Sequence, residues 1–273
     1  MAEVGLDISH GVATVTIDRP HVRNAIGLAT MRELADVLDD VLGAVSAGAA
    51  NVLVLRGVGE RAFISGGDHK ELAAIRDEQG AAAMATRMRR LLDRIAAFPV
   101  PVIAGLNGHA LGGGAEVAVA ADIRVAADDV QIGFIQVTIG IMPAWGGAER
   151  LVEIVGRSKA LLLVGLGKRL SATDAERMGL VDVVASREDF ETALHELARA
   201  FGQLPPAAAT AIKSVIAVAR PHVHQDHETA AVALFAQLWA SEDHWRAVDR
   251  MSTSSQGGDA VTSCSPSHAR GIR

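Results

Sequence analysis

The chain has 273 residues, enough for one large domain, and its 49% hydrophobic content and 27 glycines favour an α/β protein with many strand-to-helix turns. A formal net charge of −6 argues against nucleic acid or an anionic membrane as a partner, and the single cysteine, Cys264, excludes a disulfide framework or a cysteine metal cluster. No apolar run reaches the roughly 18 residues of a membrane span and no signal-peptide pattern is present, so we expect a cytoplasmic protein.

Hydrophobic spacing predicts the elements of the first 204 residues. Residues 4–9 and 12–18 alternate apolar and polar side chains around His10-Gly11, which predicts a hairpin. Apolar residues at a spacing of three and four from Met31 to Val45 predict an amphipathic helix. The segment 81–98 predicts a second helix that stops before Pro99. Continuous apolar runs predict strands buried on both faces at 52–55, 102–106, 123–126 and 181–184.

The pattern becomes wholly helical after Pro205-Pro206. Two apolar stripes follow, one through Ile212 and Val215 and one through Leu234 and Trp239. Such helices would form a cap on the core or an interface between copies. We interpret 1–204 as the core, 205–251 as a C-terminal helical region, and 252–273 as a tail of disordered composition without a catalytic role.

The most informative stretch is 107–116, in which three glycines, 112–114, separate an apolar run from a small-residue helical run. The first N–H groups of a helix lack internal partners and point outward at an anion or a carbonyl oxygen. Glu116 follows in the first turn, so a proton carrier lies beside those donors. The alternative is that the glycines serve only close packing and Glu116 only favours the helix dipole.

A second stretch, 62–72, repeats this order. It follows the apolar run at 52–55 and a glycine-rich turn, and it passes through Ser65, Gly66, Gly67 and Asp68 into a charged helical start. Two glycine turns after two apolar strands could bring backbone N–H groups to one oxygen from opposite sides. This repetition favours chemistry at a carbonyl over packing alone.

With these motifs the chain resembles the crotonase, or enoyl-CoA hydratase/isomerase, family from about residue 4 to about residue 251. The resemblance also rests on 18–26, 143–147, 171–181 and 241–243. It implies an α/β spiral of ββα units, C-terminal helices that build homotrimers or homohexamers, and an acyl-CoA thioester as substrate, with coenzyme A as part of that substrate rather than a cofactor. It implies an oxyanion hole of Gly67 and Gly113 with Glu116 as a catalytic acid/base. Contacts to substrate or coenzyme A are implied for Arg23, Ala25, Ser65, Asp68, His69, Lys70 and Trp145.

Two residues depart from the family pattern. Gln136 stands where hydratase members carry a second glutamate, and an amide cannot take up and return a proton at neutral pH. Trp145 stands where a small residue is common, either to line the acyl pocket or only to fill the core. The segment 140–156 resembles most the ethylmalonyl-CoA/methylmalonyl-CoA decarboxylase branch, which also lacks the second glutamate.

Three functions remain open from the sequence. The first is enoyl-CoA hydratase/isomerase chemistry in fatty acid metabolism, run by Glu116 with Gln136 positioning water or substrate. The second is decarboxylation of a malonyl-type thioester, in which Gln136 removes repulsion of the substrate carboxylate. The third is non-catalytic acyl-CoA binding, which an intact Glu116 disfavours. No metal site is expected. His109 is interpreted as structural. Two further groups are interpreted as solvated: the cluster His222, His224, His227 and Glu228, and the basic helix face Arg87, Arg89, Arg90 and Arg94.

Overall fold

The computed structural model describes residues 2–218 and 225–254. Within these residues the strands are β1 (Val4–Ser9), β2 (Gly11–Ile17), β3 (Ala50–Gly57), β4 (Ala62–Ile64), β5 (Val102–Leu106), β6 (His109–Leu111), β7 (Ile123–Ala127), β8 (Gln131–Gly133), β9 (Arg169–Ser171) and β10 (Val183–Ala185). The helices are α1 (Leu28–Ser46), α2 (His69–Leu72), α3 (Glu78–Ala96), α4 (Gly113–Ala118), α5 (Gly147–Val155), α6 (Arg157–Leu166), α7 (Ala172–Met178), α8 (Phe190–Gly202), α9 (Pro206–Val218), α10 (Gln225–Ala240) and α11 (Glu242–Ser254). Short 3-10 helices span Pro20–Val22 and Gln136–Ile139.

The described strands form two sheets. The larger has the order β1-β2-β3-β5-β7-β10, with β1 antiparallel to β2 and parallel pairing from β2 onward. The smaller has the order β4-β6-β8-β9 and is parallel from β4 to β8. In the pairs β3–β4, β5–β6 and β7–β8 the first strand joins the larger sheet, the second joins the smaller one, and a helix follows. This is the spiral of ββα units that the family resemblance implies.

Strands and helices of the core follow the predicted pattern closely. The N-terminal hairpin is confirmed, with Val4 opposite Ile17, and the two amphipathic helices are α1 and α3. Every residue of β5 is buried, as are all but one residue of β3 and of β7, which is the pattern of strands covered on both faces. The run at 181–184 differs: only β10 forms there, at the sheet edge, and its three residues are partly exposed.

The predicted apolar stripes of the C-terminal helices are buried in part and exposed in part. Phe235 and Trp239 of α10 are buried because α10 packs on α3, whereas Leu234 of the same stripe is half-exposed. Ile212 and Val215 of α9 are exposed in the single chain. Helix α10 therefore caps its own core, and the interface between copies that the resemblance implies stays a prediction.

The end of the C-terminal helical region lies beyond the predicted boundary at residue 251. Helix α11 continues to Ser254, three residues into the segment that composition assigns to a tail. The rest of that segment, 255–273, lies outside the described residues, as do Cys264, His222 and His224. Among the described residues no helix has both the length and the hydropathy needed to cross a bilayer.

Candidate active site

The carboxyl ends of three neighbouring strands of the smaller sheet meet at one cavity. Strand β4 leads to Gly67, β6 leads to Gly113 and Glu116, and β8 leads to Gln136. Because β4, β6 and β8 are parallel, with Ile64 paired to Ala110, these segments emerge side by side at the same edge. The sheet thus brings together residues that are separated by up to 69 positions in the chain.

Two glycine turns line this cavity and carry backbone N–H groups without a described acceptor. Gly67 and Gly113 both line it, and neither backbone N–H has a hydrogen-bond acceptor among the described residues. Gly113 begins α4, where the first N–H groups have no intrahelical partner. The glycines are also sterically required: a Cβ at Gly113 would lie 2.2 Å from Cζ3 of Trp145, and one at Gly114 would lie against the Ile64 carbonyl.

Glu116 is buried, with 2% of its surface exposed, and three hydrogen bonds hold its carboxyl group. The Trp145 and Gly147 N–H groups donate to Oε2 at 2.8 and 3.0 Å, and Gln136 Nε2 donates to Oε1 at 3.0 Å. The two backbone bonds occupy Oε2, which leaves Oε1, beside Gln136, as the oxygen that can carry a proton.

Burial raises the pKa of Glu116 from its ordinary value of 4.5 to about 7. Desolvation of the carboxylate is the main cause, and the two backbone hydrogen bonds act against it by stabilising the charged form. A carboxyl group with a pKa near neutrality is populated in both protonation states at physiological pH, as a general acid/base requires.

Gln136 faces Glu116 from the start of the 3-10 helix after β8. Its side chain is 7% exposed, and its Oε1 is buried without a hydrogen-bond partner among the described residues. Gln136, which lines the cavity, therefore donates a hydrogen bond from its amide nitrogen to Glu116, while its amide oxygen has no hydrogen-bond partner among the described residues. A buried oxygen of this kind favours a ligand or water that donates a hydrogen bond.

The rest of the cavity lining is mostly apolar. Its polar lining includes Ser65, His69 and Thr138. Phe235 and Trp239 reach the cavity from α10 of the same chain, with Trp239 Nε1 bonded to the Ile75 carbonyl at 2.8 Å. The apolar stripe of this helix predicts burial of these aromatic residues but not their place in the site; their i, i+4 spacing is the available signal.

The residues expected to contact substrate or coenzyme A separate into two groups. Ser65, His69 and Trp145 line the cavity. His69 keeps an exposed edge, but desolvation of its imidazole by the surrounding protein and the neighbouring His244 lower its pKa. The second group lies outside the lining and consists of Arg23, Ala25, Asp68 and Lys70.

Within the second group, Arg23 and Lys70 have exposed side chains, whereas Ala25 and Asp68 are buried. The Asp68 carboxylate accepts hydrogen bonds from the Lys70 and Glu71 N–H groups and pairs with Arg19 at 3.0 Å. Asp68 thus holds the Gly67 turn, and its contact with substrate stays a prediction.

Other sequence candidates lie away from the cavity. His109 is exposed and accepts a hydrogen bond from the Gln131 N–H, in agreement with a structural role. Arg89 corrects the expectation of a solvated basic face, because it is 6% exposed and pairs with Glu149 at 2.9 Å. Among the described residues, no group of three or more acidic, histidine or cysteine side chains is arranged to hold a metal ion.

The fold and cavity define an α/β enzyme of the crotonase type. The family model for enoyl-CoA hydratase/isomerase matches residues 7–252. A probable enoyl-CoA hydratase of Bacillus subtilis is 32% identical over 244 residues, covering 89% of this chain and 93% of that protein. The 2,3-dehydroadipyl-CoA hydratase of Escherichia coli is 34% identical over 244 residues, covering 89% and 92%. The chain belongs to the enoyl-CoA hydratase/isomerase family.

Solved structures agree with this assignment. An enoyl-CoA hydratase from Mycobacterium avium subsp. paratuberculosis superposes with a TM-score of 0.81 at 26% identity, covering 91% of this chain and 98% of that one. An enoyl-CoA hydratase from Bacillus anthracis gives a TM-score of 0.75 at 28% identity, covering 92% and 96%. The predicted crotonase fold is thereby confirmed.

Proposed function

We propose that this enzyme acts on enoyl-CoA thioesters and uses Glu116 as its single acid/base. The observation that carries the proposal is the carboxyl group of Glu116, buried beside two N–H groups without a described acceptor and with a pKa of about 7. The thioester oxygen would accept hydrogen bonds from Gly67 and Gly113, which stabilises the negative charge of an enolate. The apolar lining would hold the acyl group.

In hydration, Glu116 would begin as the carboxylate. Its Oε1 takes a proton from water as the oxygen of that water bonds to the β-carbon and the electron pair of the double bond moves to the thioester oxygen. The resulting enolate collapses and takes the proton from Oε1 at its α-carbon, which restores the carboxylate. Gln136 Oε1, which has no hydrogen-bond partner among the described residues, would accept the second hydrogen of the water and so orient it.

Decarboxylation of a malonyl-type thioester is the second candidate, supported by Gln136 in place of a second carboxylate. Loss of carbon dioxide would leave the same enolate between Gly67 and Gly113. Glu116 would then begin as the neutral acid and protonate the α-carbon. The two reactions therefore need opposite protonation states of one residue.

The substrate is tested by turnover of a panel of thioesters: crotonyl-CoA, a 3-enoyl-CoA, methylmalonyl-CoA and ethylmalonyl-CoA. Products are identified by mass spectrometry after chromatographic separation of the enoyl-CoA isomers, because isomerisation leaves the mass unchanged. We expect a gain of about 18 mass units on crotonyl-CoA, the mass of one water. Loss of about 44 mass units from the malonyl thioesters without hydration would replace the first candidate by the second. Binding of all four without turnover would make the chain a non-catalytic acyl-CoA binder.

The pH dependence of kcat/KM distinguishes hydration from decarboxylation without relying on the product masses. Because Glu116 has a pKa of about 7, hydration is expected to increase as the pH rises through 7, since the carboxylate is the active form. Decarboxylation would decrease over the same range, since it uses the acid. Steady-state rates between pH 5.5 and 8.5 measure this, and a profile that is flat across pH 7 would contradict both roles of Glu116.

A further inference from the structure

The position of Glu116 depends on a turn that belongs to a different part of the chain. Residues 144–147, named here the Trp145 turn, supply both N–H groups that bind Glu116 Oε2. The fit is close, because a Cβ at Gly147 would lie 2.4 Å from Cγ of Glu116. A displacement of this turn would therefore loosen both hydrogen bonds at once.

Arg150 of α5 holds the Trp145 turn from its outer side. Its Nη1 donates to the Trp145 carbonyl at 3.1 Å, and its Nη2 pairs with Asp93 of α3. Gly146 allows this contact, since its φ is +87° and a Cβ there would lie 2.3 Å from Arg150 Nη1. The guanidinium is 11% exposed, so the two bonds are partly shielded from water.

Two titratable groups besides Glu116 matter at this site: Glu149, and His69 in the lining of the same cavity. Glu149 of α5 raises the pKa of Glu116, and its carboxylate is bound by Arg89 of α3. Strand β4 carries no charged side chain, and β6 carries only His109, which bonds to Gln131. Neither the 3-10 helix that begins at Gln136 nor α4 adds another charged group.

We propose that Arg150 is a positioning residue, which joins the Trp145 carbonyl to Asp93 and thereby holds two backbone N–H groups on Glu116 Oε2. Arg150 does not touch the cavity. It acts through the Trp145 turn, and its fork of donors serves both partners at once, which a lysine ammonium cannot reproduce in the same geometry. The proposal rests on the proposed function only in assigning Glu116 a proton-carrying role.

The consequence is a change in the protonation equilibrium of Glu116. Hydrogen bonds from Trp145 and Gly147 stabilise the carboxylate and so lower its pKa. When the turn is loosened these bonds weaken, the charged form loses stabilisation, and the pKa of Glu116 rises. A residue that served only the stability of the fold would leave this pKa unchanged.

The test is the pKa of Glu116 in Arg150→Lys, measured by carbon-13 NMR of protein with labelled glutamate side-chain carboxyls. The Glu116 signal is assigned by its absence in Glu116→Gln. We expect the pKa to rise by roughly 0.5–1 unit above the unaltered protein. Asp93→Asn removes the anchor of Arg150 and serves if Arg150→Lys does not fold. Because loss of the Asp93 charge by itself would lower the pKa of Glu116, a rise of that pKa in this variant reports the loosened turn.

Arg94→Lys is the matched control, because Arg94 lies on the same helix as Asp93 and pairs with Asp39 of α1 instead. It should leave the pKa of Glu116 unchanged. An unshifted pKa in both Arg150→Lys and Asp93→Asn, or an equal shift in Arg94→Lys, would overturn the proposal. A Glu116 pKa near 4.5 in the unaltered protein would instead contradict the proposed function, while the difference between variants would still test Arg150.

Discussion

Replacement of Glu116 by glutamine is expected to lower kcat by about 10²–10⁴-fold, because the amide cannot take up and return the proton. The substitution keeps the shape of the site. The amide oxygen can accept from the Trp145 and Gly147 N–H groups, and its NH₂ can donate to Gln136 Oε1 after that amide turns over. The loss is therefore expected in kcat with little change in KM.

Steady-state kinetics of Glu116→Gln on the substrate that the panel identifies provides the measurement. The control is thioester binding, which should persist because Gly67, Gly113 and the apolar lining are unaltered. Glu116→Asp is a second comparison, because its shorter side chain keeps the carboxyl group but moves it away from the Trp145 and Gly147 N–H groups. Unchanged kcat in Glu116→Gln would remove Glu116 from the mechanism.

The same variant should change the pH dependence of stability. The folded-state pKa of Glu116, about 7, lies above its ordinary value of 4.5, so the folded state binds the proton more tightly. The stabilisation is complete below pH 4.5 and is lost as the pH rises through 7, an amount of about 3 kcal/mol. Glu116→Gln should lack this decrease in its denaturant unfolding curves.

Replacement of Gly113 by alanine is the second change with a large expected effect. The new Cβ would lie 2.2 Å from Cζ3 and 2.6 Å from Cη2 of Trp145, a separation that atoms cannot adopt, so the indole or the glycine turn must move. Either movement displaces the Gly113 N–H or the Trp145 N–H that holds Glu116. We expect kcat to fall by about 10²–10³-fold, as on loss of one oxyanion donor.

Two further variants separate this steric effect from a general loss of stability. Gly165→Ala in α6 adds a Cβ that meets no atom within 4 Å, so it should retain full activity and is expected to be neutral or slightly stabilising. The double variant Gly113→Ala/Trp145→Leu removes the indole and should be more active than Gly113→Ala alone. Full activity of Gly113→Ala, with the chain folded, would contradict the role of its N–H.

Local patterns in the sequence determined the regular elements and the chemical groups of the site. The hairpin β1–β2 and the helices α1 and α3 have spacings that only one secondary structure satisfies well. The buried strands β3, β5 and β7 are continuous apolar runs, too short for helices and bounded by turns. The glycines at 67 and 113, with Glu116 three residues further on, were recognisable because each motif is contiguous. The family resemblance placed them in one fold.

Only the tertiary structure decided how these groups are held. Strands β4, β6, β8 and β9 have three residues each, too few to show a period, so the smaller sheet that aligns the site had no local signal. The backbone N–H groups that donate to Glu116 belong to residues 29 and 31 positions later, and Arg150 reaches Asp93 across 57 positions. Such contacts depend on packing between α3, α4 and α5, which no sequence spacing encodes. Burial by that packing, rather than the residue itself, moves the pKa of Glu116 towards neutrality.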